Sequence, residues 1–288
     1  MNNILKLMRP HQYVKNIFIF APLFFSFNFE DNTKIITTFI IFIIFSLLAS
    51  SVYILNDLMD IEEDKAHPTK KNRPLASGSI SISTAKFLFI FLASISLICS
   101  FLISIDLFYV LVSYFVLNIL YSLKLKHISI VDIFIIATGF VLRLFAGSVA
   151  TDIHLSMWII IITFLLAIFL ALAKRRDDVL LSQQGAKTRK NIDGYNLEFV
   201  NATMTVMSGV VVVSYILYTV SSEVISRVHT EYLFLTSFFV LLGIFRYMQI
   251  TFVEQKSGSP SKIVLNDLFL QITLILWVIS FILIVKMA

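Results

Sequence analysis

An all-α integral membrane fold is predicted by three features of the sequence: its composition, the recurrence of apolar stretches about 20 residues long, and the absence of strand-like alternation. Of 288 residues, 58% are hydrophobic and 14% charged, whereas a soluble domain is nearer half apolar and about a quarter charged. A hydrocarbon layer roughly 30 Å thick takes about 20 helical residues to cross. Inside it every backbone polar group must be satisfied within the structure, so helices and closed barrels are the spanning solutions. No ten-residue alternating pattern marks a barrel here.

Nine spans are expected, at 14–27, 35–55, 87–105, 107–123, 128–149, 155–173, 202–220, 233–250 and 265–285. The first is short, contains Pro22 and follows Lys6, Arg9 and Lys15, as the apolar core of a signal peptide would. The Phe25-Ser26-Phe27-Asn28-Phe29 run behind it lacks the small-residue cleavage pattern, so the stretch reads as a helix. Orientation follows from the basic residues. Segments 1–16, 56–80, 124–127, 174–199 and 251–264 hold 17 of the 23 Lys and Arg residues. Lys34, Arg227 and Lys286 lie on the other side. This bias predicts a cytoplasmic N-terminus, an outside C-terminus and residence in the cytoplasmic (inner) membrane. It also accounts for the net charge of +5 without a nucleic-acid partner.

Cys99, the single cysteine, excludes an internal disulfide. The five histidines form no His-x-x-x-His or Cys/His pattern, which leaves a zinc or haem site without support. No linker-like tract divides the chain, so one domain over 1–288 is expected. Polarity gathers in two long inner loops, 56–83 and 174–199, each following a span four places from its counterpart, a hint of internal pseudo-repetition. Chemistry tends to sit on such loops.

The first loop opens Asn56-Asp57-Leu58-Met59-Asp60-Ile61-Glu62-Glu63-Asp64. If the preceding helix continues, Asp57, Asp60 and Asp64 share one face at i, i+3 and i+7. Carboxylates so placed repel unless a cation sits among them, and an all-oxygen donor set favours Mg²⁺ shared with substrate phosphates. The bland alternative is a solvated acidic helix end. Beyond it, Pro68, Pro74 and Gly78 break the helix, and Arg73 offers a planar fork to a phosphate. Lys70 and Lys71 serve either a phosphate or orientation.

The Asn-Asp-x-x-Asp-x-x-x-Asp run after the second span resembles the first signature of the UbiA-type intramembrane prenyltransferase superfamily. The resemblance implies nine helices around a central cavity, with Mg²⁺-bound diphosphate at the cytoplasmic side and Asp57, Asp60 and Asp64 as metal and catalytic ligands beside Asn56. Prenyltransferases of this superfamily mostly carry a second aspartate-rich motif after the sixth span. Here that place reads Lys174-Arg175-Arg176-Asp177-Asp178, basic first. Together with Arg9-Pro10-His11-Gln12-Tyr13-Val14-Lys15-Asn16 and His67-Pro68-Thr69-Lys70, it resembles the polyprenyl-phosphate (decaprenyl-phosphate) phosphoribosyltransferase branch. That branch moves 5-phosphoribose from phosphoribosyl pyrophosphate (PRPP) to a polyprenyl phosphate for cell-envelope glycan precursors.

Such substrates bring two phosphates beyond the leaving group, and cations meet them. Candidates are Arg73, Lys70, Lys174, Arg175 and Arg176, with Asp178 beside them, and Lys124 and Lys126 at the inner end of the fourth span. Lys15 either meets the lipid phosphate or snorkels. Arg143 lies inside the fifth span, 11 residues after Asp132, and an intramembrane arginine faces a partner or a polar cavity. Tyr195 is either a ligand or an interface anchor. Two competing readings are an aromatic prenyltransferase of the same superfamily, which would use a prenyl diphosphate, and a non-catalytic lipid transporter. A transporter would spread polar residues through paired broken helices, whereas polarity here concentrates at one face.

Overall fold

The computed structural model describes residues 3–26, 31–66, 70–184, 192, 194–256, 258 and 260–288. All regular structure among them is helical. Eight helical segments among the described residues are long and apolar enough to cross a membrane. They are α1 (Asn32–Met59), α2 (Ile82–Ile103), α3 (Ile105–Leu123), α4 (Val131–Thr151), α5 (Met157–Gln183), α6 (Leu197–Thr219), α7 (Ser237–Phe252, led in by a 3-10 turn at Tyr232–Thr236) and α8 (Leu268–Lys286). The chain divides into two compact units, one carrying α1–α4 within Met1–Ser156 and one carrying α5–α8.

Helix starts obey capping chemistry. Asp31 accepts from the backbone N–H groups of Thr33 and Lys34 at 2.9 and 3.1 Å, and Ser81 from Thr84 at 3.1 Å. Asn196 and Asp267 cap α6 and α8 in the same way.

In the first unit α1 packs against α2, α3 and α4. Its inner face buries Ile41, Phe45 and Leu48 against Leu107, Leu111 and Ile19. Lipid tails are as apolar as these side chains, so close packing and interhelical hydrogen bonds hold such helices together. Outward faces stay apolar and open, with Phe87, Phe101 and Leu102 among the exposed residues.

The expected first span takes a different form. Pro10–Phe20 is a 3-10 helix and Ala21–Phe25 a short α-helix; Phe27 lies outside the described residues. Pro10 opens the 3-10 run, and Pro22, without an N–H, opens the α-turn that ends it. The segment lies along α1 and α4. Tyr13 and Ser50 hydroxyls meet at 2.8 Å, and the Asn16 amide donates to Ser46 at 2.8 Å. Gly147 of α4 allows the approach: a Cβ there would lie 2.0 Å from the Ile19 carbonyl oxygen.

The second polar loop also begins later than expected. α5 does not end at 173 but continues to Gln183, so Lys174–Asp178 are helical. The charges that ended the apolar count pair along the helix, Arg175 with Asp178 at i, i+3. In the second unit, Arg176 donates from Nε to Asn201 of α6 at 2.9 Å and from Nη1 to the Thr251 carbonyl of α7 at 2.8 Å. Further along, the Tyr215 hydroxyl meets Thr236 at 2.7 Å and accepts from Trp277 Nε1 at 2.8 Å.

Candidate active site

The acidic run does not ride on one continuous helix. α1 stops at Met59, Asp60 is its C-terminal cap, and a short helix resumes at Ile61–Ala66. Backbone bonds from Asp60 N–H to Asn56 and from Asp64 N–H to Asp60 carry the turn through the break. Asp57 and Asp64 are both buried, at 1% and 3% exposure, while Asp60, at the cap, is half-buried.

Cations from three distant parts of the chain meet these acids. Arg73 Nη1 donates to Asp57 Oδ1 at 3.1 Å and to Asp64 Oδ2 at 2.6 Å. Arg9 Nη2 pairs with the same Asp57 oxygen, and Lys126 Nζ pairs with Asp60 Oδ1. Asn56 donates to the other Asp60 oxygen at 3.2 Å. The repulsion expected of the run is thus answered within the protein, three carboxylates against three cations.

Lys126 and Lys124 behave differently although two residues apart. Lys126 is buried on the 3-10 turn Leu125–His127, while Lys124, the cap of α3, is exposed. Ile130, a β-branched residue at φ 71°, joins that turn to α4, a costly conformation that such residues rarely adopt. Lys70 stands half-buried on the turn before Arg73. His67, Pro68 and Thr69 lie outside the described residues.

Deeper in the first unit, Arg143 is 4% exposed. Its Nε donates to Asn16 Oδ1 at 2.8 Å, Nη1 to the Gly139 carbonyl at 2.7 Å and Nη2 to the Tyr114 hydroxyl at 3.2 Å. Three rings surround it, Phe45, Tyr114 and Phe140, at 5.0–5.3 Å from the guanidinium carbon. Lys15 is half-buried and within electrostatic reach of Arg143 and Arg9.

The basic cluster of the second unit is not an open array of charges. Arg175 is fully buried beside Asp178, and Arg176 is committed to Asn201 and Thr251. Lys174 is half-buried. Tyr195 is buried, its ring 6.2 Å from that of Phe199.

Among the described residues no group of three or more His, Cys, Asp or Glu side chains is gathered to hold a metal ion. The donor set nonetheless fits Mg²⁺ in kind. It is all oxygen, and Asp57 Oδ2 is buried without a hydrogen-bond partner. Magnesium commonly takes one or two protein carboxylates and completes its shell with water and substrate phosphate, so a closed protein cage is not required. Arg9 and Asn16 stand in the sequence only as members of the Arg9–Asn16 motif and Tyr114 carries no motif, so none of the three is among the sequence's candidate ligands; for Arg9 and Asn16 the motif is the signal.

Residues 17–273 match the UbiA prenyltransferase family. The chain is 31% identical to the decaprenyl-phosphate phosphoribosyltransferase of Mycolicibacterium smegmatis, over 96% of this chain and 90% of that one. It is 32% identical to the decaprenyl-phosphate phosphoribosyltransferase of Corynebacterium glutamicum, over 96% and 85%. In fold it is similar to a UbiA homolog from Archaeoglobus fulgidus bound to GPP and Mg²⁺, with a TM-score of 0.72 at 18% identity, covering 99% of this chain and 100% of that one.

Proposed function

The chain belongs to the UbiA prenyltransferase family, and from that premise we propose that it transfers 5-phosphoribose from PRPP to a polyprenyl phosphate, releasing pyrophosphate. The product would serve cell-envelope glycan precursor synthesis. The observation that carries the reading is the cluster at the end of α1. Buried carboxylates there are interleaved with Arg9, Arg73 and Lys126, a chemistry suited to phosphates as well as to a metal. The phosphoribosyltransferase relatives span nearly the whole chain.

Asp57, Asp60 and Asp64 are proposed to hold Mg²⁺ with the pyrophosphate of PRPP, with Asn56 orienting Asp60. Bound there, Mg²⁺ supplies the neutralisation that lets pyrophosphate depart. Arg73, bonded to Asp57 and Asp64, is proposed to release them to the metal and to take up phosphate charge with its fork. Lys126, paired with Asp60, is proposed to exchange it for a phosphate oxygen in the same way. The acceptor phosphate is anionic near neutral pH, so attack on the anomeric carbon needs no strong general base.

Nine crossings, a cytoplasmic N-terminus, an inner-membrane location and one transferase domain over 1–288 complete the proposal. In 3-10 form, at about 2.0 Å per residue, Pro10–Phe20 is about 22 Å long, and Ala21–Phe25 adds about 7 Å. That is close to the hydrocarbon thickness of roughly 30 Å, which supports a crossing with fewer residues than an α-helix needs.

The test is a transfer assay on purified protein with labelled PRPP, a polyprenyl phosphate and Mg²⁺. Label in the lipid phase that disappears with a chelator is expected. No label, with product instead from a prenyl diphosphate and an aromatic acid, would replace this reading with aromatic prenyl transfer.

A further inference from the structure

Further along α1 from the acidic cluster, Lys15 and Arg143 carry positive charge that no carboxylate among the described residues answers. Arg143 is always protonated in proteins, yet its three hydrogen-bond partners and the rings around it are all neutral. Three of its five N–H groups are used there. Lys15 has no hydrogen-bond or ion-pair partner among the described residues. It adjoins Asn16, which accepts from Arg143, and feels the charges of Arg143 and Arg9. Of these three cations, Arg9 has a carboxylate, Asp57. The phenols of Tyr53 and Tyr114 lie within electrostatic reach of Arg143. Unneutralised like charges inside a membrane protein are expensive and mark places where an anion completes the structure.

The depth of the cluster is set by the ladder along α1. Tyr13 is tied to Ser50 and Asn16 to Ser46. These lie seven and eleven residues before Asp57, about 10 and 16 Å along the helix. Lys15, between Tyr13 and Asn16, is thus set back from the acids, toward the hydrocarbon.

We propose that Lys15 and Arg143 form the subsite for the phosphate monoester headgroup of the acceptor lipid, across the reacting carbon from the acidic cluster. The assignment rests on the transfer reaction proposed above. Displacement at the anomeric carbon brings the nucleophile in opposite the leaving group. With pyrophosphate at the cytoplasmic carboxylates, the attacking oxygen approaches from the membrane side, where a lipid phosphate can reach. One non-bridging oxygen of that phosphate bonds to ribose C1. The C1–O bond to pyrophosphate breaks, its electron pair leaves with pyrophosphate, and no proton moves. The same cations would suit the ribose 5-phosphate, which is also a monoester, so the test must separate the two sources.

The experiment uses the full chain in lipid nanodiscs as wild type, Lys15→Gln and Lys15→Arg. It reads KM for PRPP and for polyprenyl phosphate separately, and direct binding of geranylgeranyl phosphate against geranylgeraniol. Lys15→Gln is expected to raise KM for the lipid phosphate about tenfold or more, as loss of one charge-assisted contact does. It should also erase the preference for the phosphate over the alcohol and leave KM for PRPP unchanged. Lys15→Arg should restore most of the difference. A rise confined to PRPP would give the subsite to the ribose 5-phosphate and overturn the assignment, as would no change in either constant. If wild type transfers no ribose yet binds the prenyl phosphate in a Lys15-dependent way, the lipid-phosphate subsite stands and the transfer reading falls.

Discussion

Asp60 caps α1 with Lys126 on one carboxylate oxygen and Asn56 on the other. Replacing it by Asn keeps an acceptor for Lys126 and removes the charge a metal or a phosphate exchange would use. Asp60→Asn is therefore expected to lower transfer at least about 10²-fold, the scale of losing one electrostatic contact to the reacting groups, while the protein stays folded and still melts cooperatively in detergent. Normal turnover in this variant would remove Asp60 from the metal assignment. Arg9 shows how a side chain can be held at such a site against local preference. Its backbone sits at φ 56°, a left-handed conformation costing roughly 1–2 kcal/mol for most residues. The Asp57 ion pair and the Tyr53 ring beneath its guanidinium, at 5.6 Å, hold it there.

Between elements, two contacts carry testable weight. Gly147 lets the Pro10–Phe20 helix lie directly on α4, because any side chain would collide with the Ile19 carbonyl. Gly147→Val should destabilise the protein by about 1–3 kcal/mol, as overpacking does, read as a lower melting temperature; an unchanged melt would mean that the segment does not lie so close. In the second unit Arg246 of α7 donates to Asp267, the cap of α8, at 2.7 Å. This bond, aided by the Leu270 backbone N–H, holds the Asp267 carboxyl below its usual range. A carboxyl depressed on folding stabilises above its unfolded pKa, and that benefit is lost as pH falls through the folded value. Asn caps as well as Asp, so Asp267→Asn isolates the charge. It should melt slightly below wild type at pH 7, and the gap should close as pH falls below the ordinary carboxylate range; a pH-independent gap would point to packing instead.

At the scale of the whole molecule, the distribution of basic residues predicts which ends face the cytoplasm. Reporter fusions should place the N-terminus inside and the C-terminus outside. Both ends on one side would require an even number of crossings and would make the Pro10–Phe25 region a re-entrant or surface element. Each unit begins its set of long helices with its longest, α1 of 28 residues and α5 of 27. Each of those runs past its apolar stretch into charged residues, in keeping with the pseudo-repeat expected from the spacing of the polar loops. The continuations differ in chemistry. α1 ends in carboxylates paired to incoming cations, while α5 ends in arginines engaged with Asp178, Asn201 and the Thr251 backbone.

The sequence by itself determined the membrane class, the positions of eight long helices to within a few residues at most ends, and the loop that carries the acids. These are local properties, written in runs of apolar residues and in the clustering of charge. It also put Arg73 in the same loop as the acids, as a fork for phosphate; that Arg73 pairs with Asp57 and Asp64 came from the structure. Tertiary structure decided the rest. That Lys126 and not Lys124 reaches Asp60, that Arg9 reaches Asp57 across 48 positions, and that Arg143 finds Asn16 across 127 depend on helix packing that no local pattern encodes. The break at Asp60, the 3-10 form of Pro10–Phe20 and the helical course of Lys174–Asp178 follow from the same cause. A backbone in a membrane protein takes the form that satisfies its polar groups against its neighbours, and those neighbours exist once the chain has folded.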